Sequence, residues 1–155
     1  MVSADYIVGL TDGEGCFYVN ARDRNPRWTP AVQNHFYIKL REDNRELLEE
    51  IKESFGCGAV YFQRDNRPNH ASCYRFEINS HRDILGVLIP FFEQHPLHGP
   101  KQEDFRIFRE IAFAVKRGEQ KTTKGFEKIK QLKLQMQDNR SRWMREIRTS
   151  SGNAK

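Results

Sequence analysis

The chain alternates between two hydrophobic periods. Residues 16–22 alternate with period two, placing Phe17 and Val19 on one side and Tyr18, Asn20 and Arg22 on the other, which predicts a half-buried strand. Val32–Arg41 alternates again, with Phe36, Ile38 and Leu40 opposed to His35, Tyr37, Lys39 and Arg41. Arg24-Asn25-Pro26-Arg27-Trp28-Thr29-Pro30 separates these runs as a hairpin loop, because two prolines do not fit a central ladder. Leu47, Leu48, Ile51 and Phe55 recur at helical spacing and predict an amphipathic helix over 43–55, stopped by Gly56-Cys57-Gly58. Strands at Ala59–Gln63 and Cys73–Ile78 follow, joined by a loop over 64–70. Ser80 is placed to cap a helix over 82–92, and the prolines at 96 and 100 break the chain. Lys101–Lys116 carries a broad apolar face of Phe105, Ile107, Phe108, Ile111 and Phe113. A basic helix over 123–136 and a polar tail complete the pattern.

Ahead of the first strand, residues 3–11 predict a short helix with Ser3 as N-cap and Asp5 in its first turn. Tyr6, Ile7, Val8 and Leu10 make it apolar on nearly every side, so burial is expected. Gly9 and Gly13, one turn apart, leave a strip without side chains where another backbone fits closely. The element order predicts an antiparallel sheet with helices packed on one face, an α+β fold with an αββαββα core and additional C-terminal helices. Residues 1–116 form the expected core domain, and 117–155 a basic helical extension of it ending in a polar tail. The chain shows no tandem repeat.

Packing Phe17, Val19, Phe36, Ile38, Leu40, Val60, Phe62, Tyr74, Phe76 and Ile78 into the core sends the alternate residues outward. That outward set is Tyr18, Asn20, Arg22, His35, Tyr37, Lys39, Arg41, Tyr61, Gln63, Arg75 and Glu77. Cations, amides and aromatics in this mixture are the groups that contact phosphates and base edges, and strands of this kind fit a major groove. Charge distribution supports the same partner: Lys116 to Arg148 holds 11 Lys/Arg against 4 Asp/Glu, and residues 16–41 hold 5 against Asp23 alone. Such segregation suits a polyanion.

Other function classes recede. No apolar run approaches twenty residues, and the first residues lack a basic, cleavable leader, so neither a membrane partner nor secretion is expected. Cys16, Cys57 and Cys73 are odd in number and form no Cys-x-x-Cys pair, which predicts free thiols in a reducing intracellular compartment. His95-Pro96-Leu97-His98 has no cysteine partners and predicts no zinc site. No organic cofactor is expected.

The segment Ile7-Val8-Gly9-Leu10-Thr11-Asp12-Gly13-Glu14-Gly15 closes the first helix and opens the first strand. Glu14 thereby offers a carboxylate of the kind that hard cations such as Mg²⁺ select, and phosphodiester hydrolysis uses such cations to stabilise the attacking and leaving oxygens. The segment resembles the signature of the LAGLIDADG homing endonucleases. Phe36-Tyr37-Ile38, Leu47-Leu48-x-x-Ile51, Phe55-Gly56-Cys57-Gly58, Pro96-Leu97-x-x-x-Lys101-Gln102 and Asp104-Phe105 continue the similarity in order over roughly residues 4–116.

The resemblance implies a site-specific endonuclease that makes metal-dependent double-strand breaks in duplex DNA. It implies that Glu14 and the Gly13 carbonyl hold the metal, and that Lys101 stands near the scissile phosphate. One motif per chain implies a homodimer on a near-palindromic target, with Ile7, Val8, Gly9, Thr11 and Asp12 at the interface. Asp12 is read as structural at the helix end. Leu40 stands where many members carry a polar glutamine. A non-cleaving nucleic-acid-binding protein of the same fold, an RNA maturase or a DNA-binding regulator, is the alternative reading.

Overall fold

The computed structural model describes residues 1–22 and 31–136; the loop expected at 24–30 and the tail expected beyond Met136 lie outside the described residues. Helix α1 (Ala4–Glu14) opens on Ser3, whose hydroxyl accepts from the Tyr6 amide at 3.2 Å. It runs on past Thr11 to Glu14, through both glycines of the side-chain-free strip. Four strands follow the period-two runs closely: β1 (Gly15–Ala21), β2 (Val32–Arg41), β3 (Ala59–Gln63) and β4 (Cys73–Ile78). They form one sheet in the order β1-β2-β4-β3, antiparallel at every pairing. A 3₁₀ turn at Glu42–Asn44 leads into helix α2 (Arg45–Phe55), which carries the chain from β2 past the position of β4 to the far edge.

α2 ends on Gly56, whose positive φ of 68° lets its amide reach the carbonyls of Lys52 and Glu53. The helix expected over 82–92 is observed over 81–94 in three parts. Helix α3 (His81–Asp83) passes through a π-turn (Ile84–Leu88) into helix α4 (Ile89–Gln94). The Ile89 amide reaches back to the Ile84 carbonyl, widening the helix just before Pro90. A proline ring crowds the carbonyl four residues earlier and supplies no N–H to it. Helix α5 (Lys101–Lys116) matches its expected bounds, and helix α6 covers 123–136.

The core is an aromatic layer between sheet and helices. Phe17 stands 5.1 to 5.5 Å, ring to ring, from Phe36, Phe92, Phe105 and Phe108, so β1, β2, α4 and α5 meet on one side chain. Phe55 of α2 stacks on Phe76 of β4 at 5.7 Å. Ile129, Leu132 and Met136 of α6 join this same cluster. Buried Asn34 donates to the Phe108 carbonyl at 3.0 Å, fixing β2 against α5.

The far edge departs from the expected core. Phe62 is 48% exposed, and Leu40, Val60 and Tyr74 are half-buried. Phe62 packs laterally on Tyr74 at 5.3 Å, and the Arg45 guanidinium lies over the Tyr74 ring.

Candidate metal and nucleic-acid site

Chain geometry at the α1–β1 junction admits only glycine at position 15. A Cβ on Gly15 would stand 2.6 Å from Thr11 Cγ2 and 2.9 Å from the Thr11 carbonyl oxygen. The chain therefore turns from helix to strand within van der Waals contact of the last helical turn, which leaves Glu14 projecting at the corner. Glu14 is exposed, and among the described residues none bonds to its carboxylate.

Two contacts from the segment leading into α5 fix this corner. Asp12 accepts from the backbone amides of His98 at 3.0 Å and Gly99 at 3.1 Å, one to each carboxylate oxygen. Asp12 is thus a structural latch, as its place at the helix end suggested. Lys101 Nζ donates to the carbonyls of Thr11 at 3.1 Å and Asp12 at 3.0 Å. These carbonyls belong to the last turn, where intrahelical donors run out and the helix dipole favours a cation. The Gly13 carbonyl is next in line. Glu14, Gly13 and Lys101, widely separated in sequence, therefore share one end of α1.

The strand register sets out the sheet's outer face. Tyr18 lies opposite His35, Asn20 opposite Gln33, Tyr37 opposite Glu77, and Lys39 opposite Arg75, which in turn lies opposite Tyr61. Arg41 and Gln63 flank Cys73 in the next row. All the expected outward residues of β1 to β4 share this face, with Arg22 exposed just beyond β1. Gln33, exposed and in phase with His35, belongs to it too; extending the period-two run by one step identifies it. Lys133 of α6 reaches within 5.7 Å of the Tyr18 ring, a placement for which the local sequence carries no signal.

Glu77 is corrected. Its phase is as expected, but its side chain is only 7% exposed, so it does not present its carboxylate to solvent. It is the centre of a network. His35 Nδ1 lies 2.6 Å from Oε1, Asn79 donates to Oε1 at 3.3 Å, and the Tyr61 hydroxyl donates to Oε2. Arg75 Nε stands 2.9 Å from Oε2 as an ion pair without hydrogen-bond alignment. The Arg75 guanidinium lies over the Tyr37 ring at 3.6 Å. Burial opposes ionisation of Glu77, but the bonds from Tyr61 and His35 and the charge of Arg75 hold its carboxyl below the usual range. Burial, and next the bond to Glu77, push the Tyr61 phenol up to about 12.

The expected interface on α1 is corrected as well. Ile7, Val8 and Thr11 are 1%, 4% and 0% exposed, because they face the chain's own core. Asp12 is engaged by the latch. Of that set only Gly9 is exposed, on a strip with Gly13 and Tyr6.

A buried motif helix ending in an exposed acid, set beside a cationic four-stranded sheet, is the arrangement the LAGLIDADG resemblance implied. The LAGLIDADG endonuclease family model matches residues 7–112, and the chain belongs to that family. It is similar to a probable intron-encoded endonuclease of Neurospora crassa, 28% identical over 131 residues, covering 83% of this chain and 26% of the relative. It is also similar to a probable intron-encoded DNA endonuclease of Mycosarcoma maydis, 24% identical over 102 residues, with 66% and 34% coverage. The chain thus spans about a quarter to a third of these relatives. The crystal structure of the homing endonuclease I-TnaI superimposes with a TM-score of 0.75 at 34% identity, covering 87% of this chain and 88% of that one. I-SmaMI bound to cleaved DNA superimposes with a TM-score of 0.75 at 26% identity, covering 85% of this chain and 43% of that one.

Proposed function

We propose that this chain is a site-specific homing endonuclease. Two copies related by a two-fold axis bind a near-palindromic duplex and hydrolyse one phosphodiester in each strand. The carrying observation is Glu14, an exposed carboxylate without a described partner, held at a rigid corner beside a cation-rich sheet face. Structural acids acquire partners, as Asp12 does; an acid fixed in place with its oxygens open is suited to a metal or a reacting group.

The donor set fits Mg²⁺ in part. Among the described residues no group of three His, Cys, Asp or Glu side chains is placed to hold a metal ion. A carboxylate and a helix-end carbonyl are nevertheless an ordinary protein share for Mg²⁺, which keeps waters and takes phosphate oxygens for its remaining positions. Glu14 and the Gly13 carbonyl would hold the ion, and bound there it supplies Lewis-acid stabilisation of the attacking and leaving oxygens. Lys101 fixes the carbonyls of Thr11 and Asp12, orients the end of α1, and places a positive charge beside the phosphate-binding corner. Leu40 faces the core side of β2 and is half-buried there.

Lys39, Arg41 and Arg22 supply phosphate contacts, while Tyr18, Asn20, His35, Tyr37, Tyr61, Gln63 and Arg75 line the same face. I-SmaMI, with the same fold, is seen with cleaved DNA, and with an uncleaved target in the presence of calcium ions. Cys16, Cys57 and Cys73 are free thiols, and no described helix is long and apolar enough to cross a membrane. Cleavage of a randomised duplex library with Mg²⁺ tests the reading. Selective loss of one near-palindromic family of sequences is expected, with affinity falling steeply as salt rises. Binding without cleavage at any divalent ion would replace it with the non-cleaving alternative.

A further inference from the structure

Most ionised carboxylates on a DNA-facing surface repel the phosphates around them. Glu77 avoids this by burial and by four partners drawn from β2, β3, β4 and the residue just past β4. The consequence for Arg75 is specific. Its Nε is buried and set against Glu77, and its guanidinium rests on the Tyr37 ring. A planar cation held from one side and one face loses the rotamer freedom that an arginine on a sheet normally keeps. The Nη pair is the part of the guanidinium that bonds to no described residue.

We propose that Glu77 is a positioning residue for base recognition: it holds Arg75 on Tyr37 so that the Nη pair reads the O6/N7 edge of one guanine per half-site. The inference rests on the DNA-binding reading above. Arginine paired to that edge is the commonest specific major-groove contact, because two donors match two acceptors that no other base pair offers in that arrangement. Fixing the fork before binding removes an ordering penalty and penalises bases that would require it to move. His35 is set by the same carboxylate. Facing an ionised Oε1, Nδ1 carries the proton, and Nε2 lies on the opposite edge of the ring.

The test is a binding selection of the full chain on a randomised duplex library, with Ca²⁺, the ion present in the uncleaved I-SmaMI complex, in place of Mg²⁺. The wild type should enrich guanine at one position of each half-site. Arg75→Lys, which keeps the charge but not the fork, should relax that position roughly tenfold to a hundredfold. Glu77→Gln should relax the same position, and the double variant should relax it no further. The slope of affinity against salt should stay unchanged in Glu77→Gln, since no phosphate contact is lost. Should Glu77→Gln fail to fold, Tyr37→Leu removes the platform and must relax the same base. Retained guanine preference in Glu77→Gln, or a uniform loss across all sequences, would overturn the proposal. A wild type with no salt-dependent duplex affinity would overturn the DNA-binding reading itself.

Discussion

Two glutamates show how environment divides one side-chain chemistry into two roles. Glu14 stands exposed with no described residue bound to its carboxylate, and Glu77 is buried among His35, Tyr61, Arg75 and Asn79. Removing the charge should therefore have opposite signatures. Glu14→Gln should abolish cleavage while leaving fold and duplex affinity near wild type, because in the proposed site the lost charge would hold metal and it bonds to no described protein group. Cleavage by this variant in Mg²⁺ at the wild-type rate would place the metal elsewhere. The network around Glu77 shows itself through pH instead. The folded Tyr61 phenol is raised to about 12 from an ordinary 10.0, so its stabilising contribution is complete below pH 10 and is lost as pH rises through its folded value. Glu77 is lowered, so its contribution is present above the ordinary carboxylate range and is lost as pH falls beneath it. Ultraviolet titration should show Tyr61 ionising late, and Glu77→Gln should move that transition down. A single unshifted tyrosinate transition would break the assignment. The period-two pattern placed Glu77 on its face; its burial depends on Tyr61 and Arg75 arriving from neighbouring strands, and that register is not written in any local stretch.

At the level of elements, the helix over 123–136 belongs to the core despite its basic surface. Ile129 is 0% exposed and packs in the same cluster as Phe108 and Ile111. Ile129→Ala should lower unfolding stability by about 2–5 kcal/mol in a urea titration, the range for a large aliphatic removed from a packed interior. A change below about 0.5 kcal/mol, the range of ordinary surface substitutions, would mean that this helix is peripheral. The strands were legible in sequence because the solvated face and the core face impose strict alternation, and their bounds at 32–41, 59–63 and 73–78 agree with the structure. Helix ends were less legible. α1 continues to Glu14 because the close approach at Gly15, not a breaker residue, ends it. The π-turn before Pro90 follows from a backbone hydrogen-bond shift that side-chain periodicity does not record. Phe62 matched the core phase yet lies exposed, since alternation assigns a face but not whether a helix extends far enough to cover it.

For the whole molecule, the proposed two-fold assembly turns on the surface that α1 leaves open. α1 buries Ile7, Val8 and Thr11 against its own sheet, so any second copy must meet the opposite strip of Tyr6, Gly9 and Gly13. That strip can approach an identical helix closely, and a two-fold axis through it makes the contact self-complementary. In the proposed assembly the same axis would bring two Glu14 corners together and give the two sheets a common direction, which would require a target with matching symmetry. Gly9 makes a clean probe, because a Cβ there meets nothing within 4 Å in the single chain. Gly9→Leu should therefore leave the folded protomer as stable as before or slightly more so, since leucine favours helix over glycine. Between two helices in backbone contact the same side chain is overpacked by about 1–3 kcal/mol. Expected in light scattering are a wild-type dimer at micromolar concentration and a largely monomeric variant that keeps the folded circular-dichroism spectrum. Cleavage of both strands should fall in step with the dimer. A monomeric wild type on DNA, or a variant that stays dimeric and active, would remove the two-fold assembly and the palindromic target with it.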